Sequence, residues 1–268
     1  MEIKYRHNTS IIQIDPAKNW GDIISHLVLK YFSQSKKLQP KDVFYFDEYG
    51  YQIRKNGKIL SIGSSMLFTQ PDDIVWGTGC IDYGQIGKIP KKIYAVRGPL
   101  TQNELSKQGI ECPEVYGDPA LLFPEIYNPE KTIKYEYGLI PHYIDYTDEN
   151  SLKIIHNLSS QGVKIINITS GIFHFIDELI QCKNIMSSSL HGLIAADAYN
   201  IPNIRVKLSD KLVGGDFKFK DYSLSVNKPF NIGDINNFTN LEYFCNISWD
   251  KEALLNAGPW NDFKCKFF

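Results

Sequence analysis

Apolar residues first fall into a sustained rhythm at Ile23, Ile24, Leu27, Val28, Tyr31 and Phe32, whose spacings of three and four residues put them on one face of a helix. The run follows Asn19-Trp20-Gly21-Asp22, where Asn19 and Asp22 are both residue types that satisfy the first amides of a helix, so the pattern predicts a helix over 21–33. Later apolar runs are short and end near Gly or a charged residue, as strands do; they predict strands over 43–46, 59–61, 74–76 and 93–96. Pro99 fits a first helical turn and Gly109 a helix end, which brackets a helix over 99–108. Val115-Tyr116 reads as one more strand, closing on Gly117-Asp118-Pro119.

A polar, proline-containing stretch over 127–134 interrupts this alternation, which then restarts. Strands are expected over 137–140, 163–168, 184–186 and 204–208, and helices over 152–161, 172–181 and 190–199. Alternating strands and helices define an α/β protein with parallel sheets. The restart near residue 130 divides it into two Rossmann-like, doubly wound domains facing a cleft, 1–130 and 131–268. In such sheets ligands bind beyond the carboxyl ends of the strands, so the turns from strand to helix carry the candidate chemistry.

Charge and cysteine content narrow the partners. The 29 Lys and Arg nearly balance the 30 Asp and Glu, so no global field draws the chain to nucleic acid or anionic lipid, and an anion site has to be local. Cys80, Cys112, Cys182, Cys245 and Cys265 are scattered, with no Cys-x-x-Cys pair and no metal-ligand spacing, and read as thiols of a reducing compartment. No apolar run follows Met1-Glu2-Ile3-Lys4, and no stretch approaches the ~18 apolar residues of a membrane span, so a cytoplasmic location is expected. Nothing in the sequence calls for a metal or a redox cofactor.

The strongest local candidate is the turn Ser187-Ser188-Ser189-Leu190-His191-Gly192, which offers hydroxyls and amides to an anion at a helix start, with His191 in the first turn. The same residues also read as a plain helix cap with a packed histidine. His142, following Pro141 at a strand end, reads either as a cleft residue or as a surface histidine. Arg97, between a strand end and Gly98-Pro99, suits a bidentate grip on an anion and equally a domain-interface ion pair. Gly77-Thr78-Gly79 lacks the third glycine of a dinucleotide fingerprint. Asp22 and Asp118 lie at tight turns, where a carboxylate serves a sugar hydroxyl or the turn itself, the latter favoured for Asp118. The run from Gly214 to Tyr222, with Lys218 and Lys220 alternating with aromatic residues, reads as a substrate-covering loop or a surface hairpin.

Six segments, taken together, resemble the polysaccharide pyruvyltransferase family. They are Asn19-Trp20-Gly21-Asp22, Ile74-Val75-Trp76-Gly77-Thr78-Gly79, Val96-Arg97-Gly98-Pro99-Leu100-Thr101, Tyr116-Gly117-Asp118-Pro119-Ala120, Ile140-Pro141-His142-Tyr143 and Ser188-Ser189-Leu190-His191-Gly192, in the family's order. The resemblance implies a fold like that of the glycosyltransferase B class, with the first domain on the acceptor side and the second on the donor side. It also implies transfer of pyruvate from phosphoenolpyruvate to a saccharide as a ketal. Capsular or exopolysaccharide repeat units, lipid-linked at the inner face of the membrane, are the acceptors it suggests.

In members with an Arg-Leu-His motif, the Arg and His are associated with donor binding and catalysis. Here Leu190 and His191 match, while Ser189 stands at the Arg position. A cation is then expected from Arg97, Arg205, Lys207 or Lys218, unless the donor differs. On this reading His191 is the general acid, and Arg97, Ser188, Ser189, Leu190 and Lys218 hold the donor. His142 holds the donor or deprotonates the sugar, and Asp22 and Asp118 position the acceptor. A glycosyltransferase using a nucleotide sugar shares the architecture and is the competing enzyme reading; a saccharide-binding scaffold is the non-enzymatic one.

Overall fold

The computed structural model describes residues 3–7, 10–14, 19–34 and 57–260. The strand expected over 43–46 and Cys265 lie outside the described residues. In chain order the elements are β1 (Ile3–His7), β2 (Ser10–Ile14), α1 (Trp20–Ser33), β3 (Ile59–Leu60), β4 (Ile74–Trp76), β5 (Lys92–Ala95), α2 (Pro99–Lys107), β6 (Tyr135–Ile140), α3 (Glu149–Ser160), β7 (Lys164–Ile165), α4 (Ile172–Leu179), β8 (Cys182–Ser187), α5 (Leu190–Ala198), β9 (Asn203–Val206), α6 (Phe217–Ser225), β10 (Ile232–Gly233) and α7 (Lys251–Asn256), with 3-10 turns between several of them. The class is α/β, as the alternation implies, and no described helix is long and apolar enough to cross a membrane.

The chain forms two units, one of Met1–Ile23, Tyr127–Val213 and Asn231–Asn246, the other of Ile24–Ile126, Gly214–Phe230 and Ile247–Phe268. This corrects the expected contiguous halves. Two late segments return to the second unit because their side chains and carbonyls are bound there: Asp221 of α6 pairs with Arg97, and Leu254 of α7 accepts the indole N–H of Trp76 at 3.0 Å.

The first unit is built on a five-stranded parallel sheet in the order β10-β9-β8-β6-β7. Leu139, Ile155, Leu158, Met186, Ile204 and Val206 fill its core. Helix α5 is buried from Leu190 to Asp197, so its apolar residues surround it instead of forming a stripe. Gly192 lets it lie close to the sheet: an added Cβ there would meet Ser187 Oγ at 2.3 Å. Strand β7 is shorter than the expected 163–168 because Asn167 Oδ1 accepts both the N–H and the hydroxyl of Thr169, turning the chain out of the sheet. Ile166 still gives its N–H to the Leu139 carbonyl of β6 at 2.9 Å, whereas Ile168, beyond the turn, is apolar for packing.

The second unit contains the parallel sheet β3-β4-β5, extended by a bridge between Val96 and Tyr116 where the sequence suggests a strand. Leu60, Met66, Val75, Val96, Leu105 and Phe217 pack its core. The stretch expected as a covering loop or hairpin over 214–222 is instead the turn into α6. Phe217, Lys218, Phe219 and Tyr222 are all buried there, so a short helix enclosed on most sides mimics two-residue alternation. Gly214 has φ of +79°, and its Cα lies so close to Ile81 that a Cβ would sit 2.1 Å from that carbonyl oxygen, so the glycine pair makes a packed turn.

One buried ion pair fastens α6 to this unit. Asp221 accepts from Arg97 Nε at 3.0 Å, from Thr101 N–H at 3.0 Å and from the Thr101 hydroxyl at 2.7 Å. Removing one member of a buried pair leaves the other charge unmatched, which costs about 3–5 kcal/mol. Arg97→Ala is expected to lower the unfolding free energy by that amount, and urea titration followed by circular dichroism checks it.

Candidate active site

In the first unit, the turns that follow β6, β8 and β9 are bound together by a carboxylate that the motifs do not announce. Asp145 accepts the hydroxyl of Ser188 at 2.6 Å, the hydroxyl of Ser209 at 2.8 Å and the N–H of His142 at 3.1 Å. Burial pushes its carboxyl above the ordinary range, opposed by the bonds from Ser188, Ser209 and His142. The His142 N–H also reaches Ser188 Oγ at 2.9 Å. The three turns thus share one polar junction.

The serines act in this junction and not as a simple cap. Ser187 Oγ lies 2.9 Å from the carbonyls of Ile140 and of Ser189 and accepts the Ser189 N–H at 3.0 Å. Ser189 occupies the N-cap position of α5 with no side-chain capping bond, and Leu190 begins the helix, both buried. His142 Nδ1 accepts the Ile144 N–H at 3.2 Å, and its ring lies against Tyr143, tilted by 35° with centroids 4.2 Å apart. A neutral imidazole that accepts at Nδ1 carries its proton at Nε2. His142 in this state has its ring donor at Nε2.

His191 stands in the first turn of α5 and is 7% exposed. The start of α1 closes over it. Trp20 anchors that start, with its N–H on the Ile168 carbonyl at 3.0 Å, its indole N–H on the Ile172 carbonyl at 3.1 Å and its ring against Phe175. Gly21 then lies so near the imidazole that an added Cβ would be 2.1 Å from Cγ. Asn19 Oδ1 is 3.4 Å from His191 Nδ1. Asp22, half-buried in the first turn of α1, adds its charge to the burial that raises the Tyr143 phenol above its ordinary value.

The predicted site residues therefore separate. His191, His142, Ser188, Ser189, Leu190 and Asp22 belong to the first unit, and Arg97, Asp118 and Lys218 to the second. Arg97 is 0% exposed, and its five donors go to Asp221 twice and to the Gly63 carbonyl, Ser64 Oγ and the Cys80 carbonyl. Of the two sequence readings of Arg97, anion grip and ion pair, the structure has the ion pair, internal to the second unit. Asp118 is likewise enclosed: it caps the 3-10 turn Pro119–Glu125 by accepting the Ala120 N–H at 2.9 Å, with the Gly63 N–H at 3.5 Å, and is no acceptor ligand in this arrangement. Lys218 is 8% exposed on α6, its ammonium 5.7 Å from the Phe219 ring, and not on a loop. Lys207 is half exposed and paired with Asp210. Arg205 is 6% exposed on β9, in register with Ser187.

The fold, with this junction at the carboxyl ends of parallel strands, is that of an α/β protein. Residues 31–210 match the family of polysaccharide pyruvyl transferases, and the chain belongs to it. A protein of Acanthamoeba polyphaga mimivirus, "Uncharacterized protein L143", is 30% identical over 177 residues, 63% of this chain, and the matched part spans 60% of that relative's length. The crystal structure of the UDP-GlcNAc 2-epimerase of Methanocaldococcus jannaschii, in complex with UDP-GlcNAc and UDP, aligns over 60% of this chain and 58% of its own at a TM-score of 0.38 and 12% identity.

Two outcomes follow. Gly21→Ala forces the imidazole aside or the helix start outward; it is expected to lose about 1–3 kcal/mol of stability by overpacking and most of any His191-dependent turnover, measured by urea titration and assay of the same preparation. Burial raises the Asp118 carboxyl from 3.8 to about 6, so its contribution to stability is complete below about pH 3.8 and is lost as the pH rises through about 6. Asp118→Asn keeps the capping carbonyl and cannot titrate. Across that window the wild-type stability relative to the variant should fall by up to about 1.4 kcal/mol per pH unit, read from urea midpoints at successive pH values.

Proposed function

We propose that this chain transfers pyruvate from phosphoenolpyruvate to two hydroxyls of a saccharide as a ketal. The acceptor in this reading is a capsular or exopolysaccharide repeat unit on a lipid carrier at the cytoplasmic face of the membrane. The observation that carries the proposal is the position of His191, enclosed by Asn19 and Gly21 in the first turn of α5, beyond the carboxyl end of β8. Family membership supports the class of reaction.

The chemistry needs an acid near an anion site. The methylene carbon of the enol takes a proton from His191 while a sugar oxygen bonds to the adjacent carbon and releases its own proton. The second sugar oxygen then displaces phosphate from that carbon. Of the two hydroxyl protons, one replaces that lost by His191 and the other leaves with phosphate. Amides at the start of α5 supply partial positive charge to the donor, and the His142 ring donates from Nε2. Arg205 takes the place of the cation that Ser189 lacks, being a buried guanidinium on the strand beside Ser187. Asp22 accepts from the sugar hydroxyls, with Tyr143 at its side.

The test is phosphate release from phosphoenolpyruvate with a saccharide acceptor present and its absence when either is omitted. His191→Ala is expected to reduce turnover by about 10²–10⁴-fold, the usual loss on removing a general acid, with the circular dichroism spectrum unchanged. Full turnover in that variant would remove His191 from the reaction. Consumption of a nucleotide sugar without phosphoenolpyruvate turnover would replace the proposal with glycosyl transfer.

A further inference from the structure

The contact between Asn19 and His191 has a direction that the neighbouring backbone decides. An amide side chain presents either its oxygen or its nitrogen, and diffraction or packing alone often leaves the two exchangeable. Here the Asn19 atom facing the Gly21 N–H, at 3.3 Å, has to accept, because a backbone N–H only donates. That atom is Oδ1, and the same oxygen lies 3.4 Å from His191 Nδ1. Two acceptors do not share a hydrogen bond, so the proton between them belongs to Nδ1.

We infer that Asn19 is a positioning residue that holds His191 as the Nδ1–H tautomer, so that Nε2 is the nitrogen through which the ring exchanges a proton with substrate. The last clause rests on the pyruvyl-transfer reading; the tautomer itself does not. Several features keep the arrangement fixed. Asn19 is 4% exposed, so bulk water is poorly placed to replace its oxygen. Its carbonyl accepts the N–H groups of Asp22 and Ile23 at 3.0 and 3.1 Å, so the residue is itself part of the start of α1. The close approach of Gly21 to the imidazole resists rotation of the ring, and a flipped ring would turn a carbon toward Oδ1. A neutral amide also suits an acid, since a carboxylate at this position would hold the imidazolium and oppose delivery of its proton.

Imidazole nitrogen shifts report the tautomer directly. The experiment records two-bond nitrogen–proton spectra of uniformly labelled protein above the pH at which the ring titrates, assigning His191 among the six histidines by loss of its signals in His191→Ala. The neutral wild-type ring is expected as Nδ1–H. Asn19→Ala should move it to the Nε2–H form or to an exchanging mixture. Asn19→Asp, which keeps an oxygen beside Nδ1, should retain Nδ1–H and raise the pH at which the ring titrates by about one unit or more. An Nε2–H ring in the wild type, or an unchanged Nδ1–H ring in Asn19→Ala, overturns the inference.

In turnover, Asn19→Ala should lose about 10²-fold in kcat, as for a misplaced reacting group, with KM for phosphoenolpyruvate unchanged. Wild-type kcat in that variant overturns the positioning role. A wild-type protein that does not turn over phosphoenolpyruvate defeats the pyruvyl-transfer reading and leaves the spectroscopic result standing. If Asn19→Ala does not fold, the wild-type tautomer and the Asn19→Asp titration still decide the matter.

Discussion

Burying a carboxylate obliges the chain to bring donors to it, because the ion loses its water on entering the interior. Each unit is organised around that obligation. In one, Asp221 collects Arg97 and both donors of Thr101, which holds α6 against the start of α2. In the other, Asp145 collects Ser188, Ser209 and the His142 N–H, which holds together the turns after three strands. The donors are short or backbone groups in the second case, so the turns themselves become rigid. A rigid set of strand-end turns is what a site needs if its groups are to stay within reach of a reacting atom.

Two glycines make the rest of the geometry possible. Gly192 brings α5 onto the sheet beside Ser187, and Gly21 brings the start of α1 onto the ring of His191. In both places a methyl group would occupy the position of an atom already present. The two helix starts reach His191 from different parts of the chain, one anchored by Trp20 on the carbonyls of Ile168 and Ile172, the other by the serine junction. The imidazole is therefore confined by backbone as well as by side chains.

What could be read in the sequence followed from local signals. The rhythm from Ile23 to Phe32 is a helix, Pro99 opens one, the apolar run 74–76 is a strand, and the turn before His191 lies between a strand and a helix. Expectations diverged where a distant partner decides. The bonds that make Asp145 a junction carried no signal, because its serine partners lie 43 and 64 residues away. Arg97 was legible equally as an anion ligand and as an ion pair, because its partner Asp221 is 124 residues away and its other acceptors are mostly backbone carbonyls. Alternating aromatic and basic residues in 217–220 suggested an extended hairpin, yet burial on several faces allows a helix to carry apolar residues at positions that a surface helix would leave polar. A capping-box position three residues beyond His142 was the one local hint at Asp145.

The serine at position 189 bears on how such a site holds an anion. An arginine there would project from the turn itself, at the first residue before α5, where its direction depends on that turn. Ser189 instead gives its N–H to Ser187 Oγ and leaves the position small and buried. Arg205, one strand away and in register with Ser187, lies in a four-residue strand with paired neighbours on both sides, β8 and β10. On the proposed reading the cation has moved from the turn to the sheet. A guanidinium anchored on a strand gives up some reach and gains a fixed origin, and the turn is left free to use its hydroxyls for binding the strand ends together.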